Sequence, residues 1–133
     1  MTCCEQHRDK PGIKAMKRIN SPWGIDPDPG QLRWNTNSGA CAINLAVHFG
    51  VKKIVLLGFD MQRVEGKNNW HQDYPRATTT KKAKEIYDPY PHMLEAFSVI
   101  AQDLRALGIE TLNVTEAGAL EVFSRIKLED LFA

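Results

Sequence analysis

The order of apolar and polar positions predicts two helix–strand units. Apolar residues repeat at helical spacing over Ser38–Phe49, and the aliphatic, β-branched run Val51–Gly58 follows as a buried strand. A second apolar helical face covers Tyr90–Leu107, and a strand is predicted over Ile109–Val114. One glycine separates each helix from its strand. This repeated order is typical of a parallel sheet with crossover helices, an α/β fold.

The remaining segments add two shorter elements. Ile13–Ile19 is a strand candidate that we expect to join the same parallel sheet, and a loop rich in proline, glycine and aspartate follows it. A short helix is predicted over Ala117–Phe123. A chain of 133 residues suits one domain, which we assign to residues 1–133.

One long segment, residues 61–89, shows no periodicity. Compact domains rarely contain such a loop unless it acts as a lid or is disordered. It includes the basic tract Arg76–Lys84, which has no acidic residue and is typical of a solvated segment. We therefore predict that much of Arg63–Lys84 is mobile in the absence of ligand.

Two groups of polar residues stand where parallel sheets bind ligands. Asp60 follows the strand end at Gly58, and Asn37, Ser38 and Gly39 open the helix before that strand. The carboxyl ends of parallel strands line a ligand crevice, and N–H groups at a helix start attract phosphate or carboxylate. Gly39 would leave room for the anion. The plainer alternatives are that Asp60 caps the following turn and that Asn37 or Ser38 caps the helix.

Two histidines could serve as proton acceptors near neutral pH, namely His71 inside the long loop and His92 at its end. Tyr90 could donate to phosphate oxygens or could pin the loop to the core. A divalent ion held by Asp60, the histidines and Asp73 is an alternative, but no typical ligand spacing supports it. No metal site is therefore predicted.

Composition narrows the class of protein. Hydrophobic residues make up 43% and charged residues 25%, and the net charge is +1, so nothing points to an anionic membrane or to nucleic acid. The N-terminus has no apolar signal region, and three cysteines without a C-x-x-C pair suit a reducing compartment. We expect a cytoplasmic protein, in the host cytoplasm if it is phage-encoded, with no membrane partner.

The run NSGACAINLAVHFGVKKIVLLGFD resembles a family of phage and prophage proteins often labelled norphogenetic, which share an N-S-G helix, a G-x-K-x-I-x-L-L-G-x-D strand and an H-W-H-like lid. More distantly it resembles the bacterial lipooligosaccharide sialyltransferases and the hydroxymethylpterin diphosphokinase-like proteins of one Rossmann-like superfamily. The close resemblance covers roughly Trp34 to Phe123. It implies a sialyltransferase-like, Rossmann-like fold of which this chain is the C-terminal portion, without the N-terminal β–α unit whose G-x-G-P-S-like turn holds the nucleotide.

The resemblance also implies roles for individual residues. In the sialyltransferases, the serine and glycine that match Ser38 and Gly39 lie against the donor sugar-nucleotide, and the strand-end aspartate pattern matches at Asp60. The two tyrosines that hold the donor phosphates fall near Gln62 and Asn68, and neither position is a tyrosine here.

Two functional hypotheses are consistent with these patterns. The first is a nucleotide- or nucleotide-sugar-binding transferase-like domain, either glycosyltransferase-like or diphosphokinase-like. The resemblance places its general base within one residue of His92, with His71 as the other candidate, and implies a nucleotide or nucleotide-sugar donor and no other cofactor. The alternative is a non-catalytic phage accessory or assembly protein that retains the fold. A small sheet leaves an open edge, which predicts a homo-oligomer. Nucleic-acid binding is less favoured because basic and aromatic residues do not interleave on a predicted strand face.

Overall fold

The computed structural model describes residue 7 and residues 9–63 and 88–133, which form a mixed α/β fold. Three strands, β3 (Lys53–Leu56), β4 (Glu110–Asn113) and β5 (Ser124–Arg125), make one parallel sheet in that order, and two further strands, β1 (Lys17–Ile19) and β2 (Gln31–Arg33), make a separate parallel pair. No helix in the described part of the chain is long and apolar enough to cross a bilayer. In chain order the elements are β1 (Lys17–Ile19), β2 (Gln31–Arg33), α1 (Ser38–His48), β3 (Lys53–Leu56), α2 (Tyr90–Ala106), β4 (Glu110–Asn113), β5 (Ser124–Arg125) and a 3-10 helix (Glu129–Phe132).

The two long predicted helices and the glycine stop after each of them are confirmed. After α2, Gly108 has a φ of 67°, its N–H donates to Arg105 O, and the N–H of Ile109 donates to Leu104 O. These two bonds satisfy carbonyls that the last helical turn leaves without partners, and the backbone at Gly108 suits a residue without a β-carbon. Gly50, with a φ of 74°, ends α1 in a related way.

The two predicted core strands are also confirmed, with shorter bounds. Strand β3 lies inside the predicted run and pairs in parallel with β4, placing Ile54 beside Thr111 and Leu56 beside Asn113. The N–H of Val114 donates to Leu56 O just beyond the ladder. The carboxyl ends of β3 and β4 therefore lie next to each other.

The expectation that Ile13–Ile19 joins this sheet is wrong. Only Lys17–Ile19 forms a strand, and it pairs with β2, a strand that the sequence did not predict. The first two residues of β1 are exposed and Ile19 is half-buried, so this strand lacks the continuous apolar surface that a buried central strand of an α/β sheet requires.

The helix predicted over Ala117–Phe123 is also wrong. Leu120 and Phe123 are buried at a spacing that matches a helix. The segment is irregular instead and ends in β5, because the main chain at Gly118 and Ala119 packs against the loop after β3.

One apolar core joins the helices to the larger sheet. A short loop helps to hold α1 and α2 together, since the N–H of Ile25 donates to Asp103 Oδ2 on α2 and the N–H of Asp26 donates to Asn44 Oδ1 on α1. The buried cluster consists of Ile25, Ala40, Ile43, Leu56, Phe97, Ile100, Ala101, Leu104, Ile109, Leu120 and Phe123. The loop bonds and the shared core hold α1 and α2 against each other and against the sheet.

Candidate functional site at the ends of strands β3 and β4

Helix α1 starts with an asparagine cap. The side-chain oxygen of Asn37 accepts a hydrogen bond from Ala40 N at 2.8 Å, and Asn37 itself has extended backbone angles. Ser38 is the first helical residue, and its side chain is exposed. The first N–H groups of a helix have no acceptor within the helix, so this end carries partial positive charge. Of the two capping residues proposed from sequence, Asn37 is the cap.

The turn between β2 and α1 is stabilised by Asn35. Asn35 and Thr36 both have positive φ angles, 48° and 66°. Asn35 is buried and pairs with Gly24 in both directions: its Nδ2 donates to Gly24 O, and its Oδ1 accepts from Gly24 N, each at 2.8 Å. These bonds hold an unusual backbone conformation that aims the start of α1 toward the end of β3.

Gly39 lies against the ring of Phe59 and not in an open space. A β-carbon at position 39 would stand 2.7 Å from Cε1 and 3.0 Å from Cζ of that ring. The expectation that Gly39 leaves room for an anion on its α-carbon is therefore replaced by a packing role. Its N–H group is still part of the first turn of α1.

Asp60 is held through its main chain by the loop that leaves β4. Asp60 O accepts from Ala119 N at 2.8 Å, and a β-carbon on Gly118 would be 2.5 Å from the same oxygen. The preceding residue is fixed in the same way, because Phe59 N donates to Thr115 Oγ1 at 3.0 Å. Among the described residues no hydrogen bond or ion pair engages the carboxylate of Asp60, a residue that is half-buried. The loops after β3 and β4 thus fix the main chain of Asp60 just beyond the shared sheet edge.

Tyr90, the first residue of α2, lies in the electrostatic field of this edge. Burial raises the pKa of the Tyr90 hydroxyl, the negative charges of Asp88 and then Asp60 raise it further, and the positive charge of Arg63 opposes them. The hydroxyl is therefore protonated at neutral pH and can donate a hydrogen bond. Charges from both ends of the long loop, those of Asp60 and Arg63 before it and of Asp88 after it, therefore act on the same Tyr90 hydroxyl.

His92 occupies a different side of α2. Its ring packs edge-on against Trp23, with centroids 5.0 Å apart, and its Nδ1 lies 3.6 Å from Glu95 Oε2. Residues two apart on a helix point about 200° apart around the axis, so Tyr90 and His92 face different ways. Among the described residues, the ring and ionic contacts of His92 are made with Trp23 and Glu95 and not with Asp60.

The other predicted site residues do not join this edge in the described part of the chain. Gln62 is exposed just after the end of β3. His71 and Asn68, together with most of the segment predicted to be mobile, lie outside the described residues.

Sequence reasoning missed the residues that assemble this edge. Phe59, Thr115 and Gly118 connect β3, β4 and α1, and Trp23 contacts His92. Gly118 carried a usable signal, since an isolated glycine can mark the close approach of another backbone. The residues that Phe59 and Trp23 contact are distant from them in sequence, and no local sequence pattern indicates these contacts.

Two surface grooves lie elsewhere on the molecule. One, of about 400 Å³, is lined by Glu121–Arg125, and the other, of about 290 Å³, lies between the C-terminal half of α2 and the start of β4. Neither is lined by Asp60, Ser38 or Tyr90. Within the described ranges, no group of three or more histidine, cysteine, aspartate or glutamate residues is arranged to hold a metal ion.

Comparison of the chain with family models, with curated proteins and with solved structures found no match. The function of the chain is therefore inferred from its residues and their geometry.

Proposed function

We propose that this chain binds a nucleotide or a nucleotide-sugar at the carboxyl ends of β3 and β4, as a transferase-like domain of a phage or prophage protein with a Rossmann-like fold. The observation that carries the proposal is the position of Asp60. Asp60 lies just beyond the shared end of two parallel strands, its charge acts on Tyr90 at the start of α2, and it follows Phe59, whose ring contacts the start of α1. Ligands of open parallel sheets bind at this edge.

The chemistry of the edge suits a ligand with both hydroxyl and phosphate groups. A carboxylate accepts hydrogen bonds from sugar hydroxyls, and the carboxylate of Asp60 accepts none from the described part of the chain. The guanidinium of Arg63 and the first turn of α1, including Ser38, attract phosphate oxygens. Tyr90 adds a neutral donor. In this site Asp60 is the anionic group, Arg63 is the cationic group, and the first turn of α1 and Tyr90 supply hydrogen-bond donors.

Binding is better supported than catalysis. In this proposal the general-base role of His92 rests on the resemblance alone, since His92 lies against Trp23 and Glu95 on another side of α2. We therefore assign the ligand contacts to the residues around Asp60. The assignment of a chemical step rests on the resemblance of the sequence to the transferase family.

A ligand screen tests the proposal. The cytidine, uridine, guanosine and adenosine phosphates and their sugar conjugates are added to the protein, with inorganic phosphate as the reference, and the unfolding temperature is measured. A ligand at one hundred times its dissociation constant stabilises the native state by about 2.7 kcal/mol. We expect at least one nucleotide or nucleotide-sugar to do this where phosphate does not.

A matched pair of variants locates the site. Asp60→Asn removes the carboxylate charge without touching the main-chain bonds of Asp60, and Asp28→Asn removes an exposed aspartate near β2. A hydrogen bond to a charged group contributes about 1.5–3 kcal/mol, so Asp60→Asn should weaken binding about tenfold or more. Binding that is equal in both variants, or no nucleotide binding at all, contradicts the proposal.

The alternative of a non-catalytic assembly protein is favoured by a separate observation. Strand β3 is an edge strand of the described sheet, and Val55 on it and Leu57 just after it are exposed. This apolar surface is not part of the proposed ligand site at the carboxyl ends of β3 and β4, and it suits contact with another protein.

A further inference from the structure

We propose that two copies of this chain form a symmetric dimer by pairing their β3 strands edge to edge in an antiparallel register centred on Val55. The inference does not depend on the ligand site, because the paired edge and the Asp60 carboxylate use different groups.

The free edge of β3 is the first observation. In the larger sheet β3 pairs with β4 alone among the described strands, and β4 pairs on its other side with β5. The second edge of β3 therefore carries main-chain N–H and C=O groups that no described strand engages. Such an edge is a template for pairing with another chain.

The exposed side chains of β3 are the second observation. Leu56 is 2% exposed and belongs to the core, whereas Val55 is 38% and Leu57 is 67% exposed. Since alternate residues of a strand point to opposite faces, Val55 and Leu57 share the face opposite the core. A second copy paired along the open edge would engage its main-chain groups and bring the exposed Val55 side chains of the two copies into contact with each other.

The sequence of β3 is complementary to itself when reversed. In the register centred on Val55, each Val55 faces the Val55 of the second copy, Ile54 faces Leu56, and Lys53 faces Leu57. β-branched and aliphatic pairs stabilise neighbouring strands, and residues directly opposite in an antiparallel pair point to the same face. The core face of each sheet would therefore continue into the core face of the other.

Geometry selects the antiparallel arrangement over the parallel one. The other edge of β3 is taken by β4, so two copies that paired in parallel through the same free edge would have opposite faces up, and the core face of one sheet would continue into the exposed face of the other. The antiparallel register separates the two lysine pairs and brings the end of β3 that carries Lys52 and Lys53 toward the end of the second copy that carries Asp60. Lys53 also keeps its 3.2 Å contact with Glu110 on β4, because that contact lies on the other side of the strand.

Cross-linking at the two-fold axis is the sharpest test. Residues directly opposite in antiparallel strands have α-carbons about 4.5–5.5 Å apart, within the range that a disulfide spans. In a Cys3→Ser, Cys4→Ser background, Val55→Cys should form an intermolecular disulfide under mild oxidation, detected on a non-reducing gel and assigned by mass spectrometry of the linked peptides. The same background without Val55→Cys, and a version with Leu107→Cys, should remain unlinked at equal concentration.

Sedimentation velocity at micromolar concentration provides the second measurement. The unsubstituted chain should sediment with twice the mass of one chain, and Val55→Lys should shift it to the monomer by placing two ammonium groups on the axis. Leu107→Lys, which changes another exposed apolar residue just after the end of α2, should leave the dimer intact. Circular dichroism of Val55→Lys confirms that the fold is kept. A monomeric unsubstituted chain, a dimer that survives Val55→Lys, or a dimer whose Val55→Cys thiols do not link would each overturn the proposal.

Discussion

The ring of Phe59 lies so close to Gly39 that a β-carbon there would be 2.7 Å from Cε1 of the ring. The same ring packs edge-on against Phe97 of α2, with centroids 6.0 Å apart. One side chain at the end of β3 thus contacts the start of α1 and the core face of α2. The spacing of the candidate site depends on this contact.

Gly39→Ala should destabilise the protein by about 1–3 kcal/mol, the usual cost of overpacking a core. In a helix with open space at this position, Gly→Ala stabilises the protein by up to about 1 kcal/mol. The sign of the change in unfolding free energy therefore shows whether the Phe59 ring constrains position 39. Urea unfolding measures it. In a Phe59→Ala background the added methyl group should be neutral or stabilising. A stabilising Gly39→Ala in the unsubstituted protein would show that the ring does not constrain this position. For the same reason, a substitution of Gly39 is not a clean test of ligand binding.

Asn37→Ala should cost about 1 kcal/mol of unfolding free energy, because it removes the side-chain acceptor of Ala40 N. Ser38 is the next residue and its side chain is exposed. Ser38→Ala should therefore change the free energy of unfolding by only a few tenths of a kcal/mol. Urea unfolding of the two variants side by side is the measurement. If Ser38→Ala is the costlier of the two, Ser38 and not Asn37 caps α1.

The pKa of the Tyr90 hydroxyl, measured by alkaline titration, tests whether the charge of Asp60 acts on Tyr90. Burial, Asp88 and Asp60 raise the pKa of Tyr90 above 10.0, so its contribution to stability is present below pH 10 and is lost as the pH rises through the folded-state pKa. Tyrosinate absorbance of the protein minus that of Tyr90→Phe isolates this residue. Asp60→Asn should lower the pKa of Tyr90 toward its ordinary value, and Asp28→Asn should not. An equal effect of the two variants would mean that Tyr90 does not sense Asp60.

Asn44→Leu should destabilise the protein by at least about 2 kcal/mol, since buried polar groups left without partners cost about 1–3 kcal/mol each. Asn44 is fully buried, its Oδ1 accepts from the N–H groups of Asp26 and Arg33, and its Nδ2 donates to Asp26 O and shares a hydrogen bond with His48. Thermal unfolding of Asn44→Leu is compared with that of Asn20→Ala, which removes an exposed acceptor. Equal stability of the two variants would contradict a structural role for the buried amide.

The sequence by itself determined the elements whose information is local. Periodic apolar positions and a following glycine were sufficient for α1, α2, β3 and β4, because a helix face and a glycine stop are set by residues within a few positions of each other. The sequence also identified Asp60 as the residue at the end of a parallel strand, since that position follows from the strand alone. The chemical role of that carboxylate stays a proposal.

Only the tertiary structure decided which distant residues meet. Lys17–Ile19 pairs with a three-residue strand that follows a proline-rich loop. Residues 117–123 have apolar residues at helical spacing but form no helix, because Gly118 packs on Asp60. Gly39 faces an aromatic ring and not open solvent, and His92 faces Trp23. In each case the deciding contact lies between residues more than ten positions apart, and its energy comes from packing and main-chain hydrogen bonds that exist only once the chain has folded.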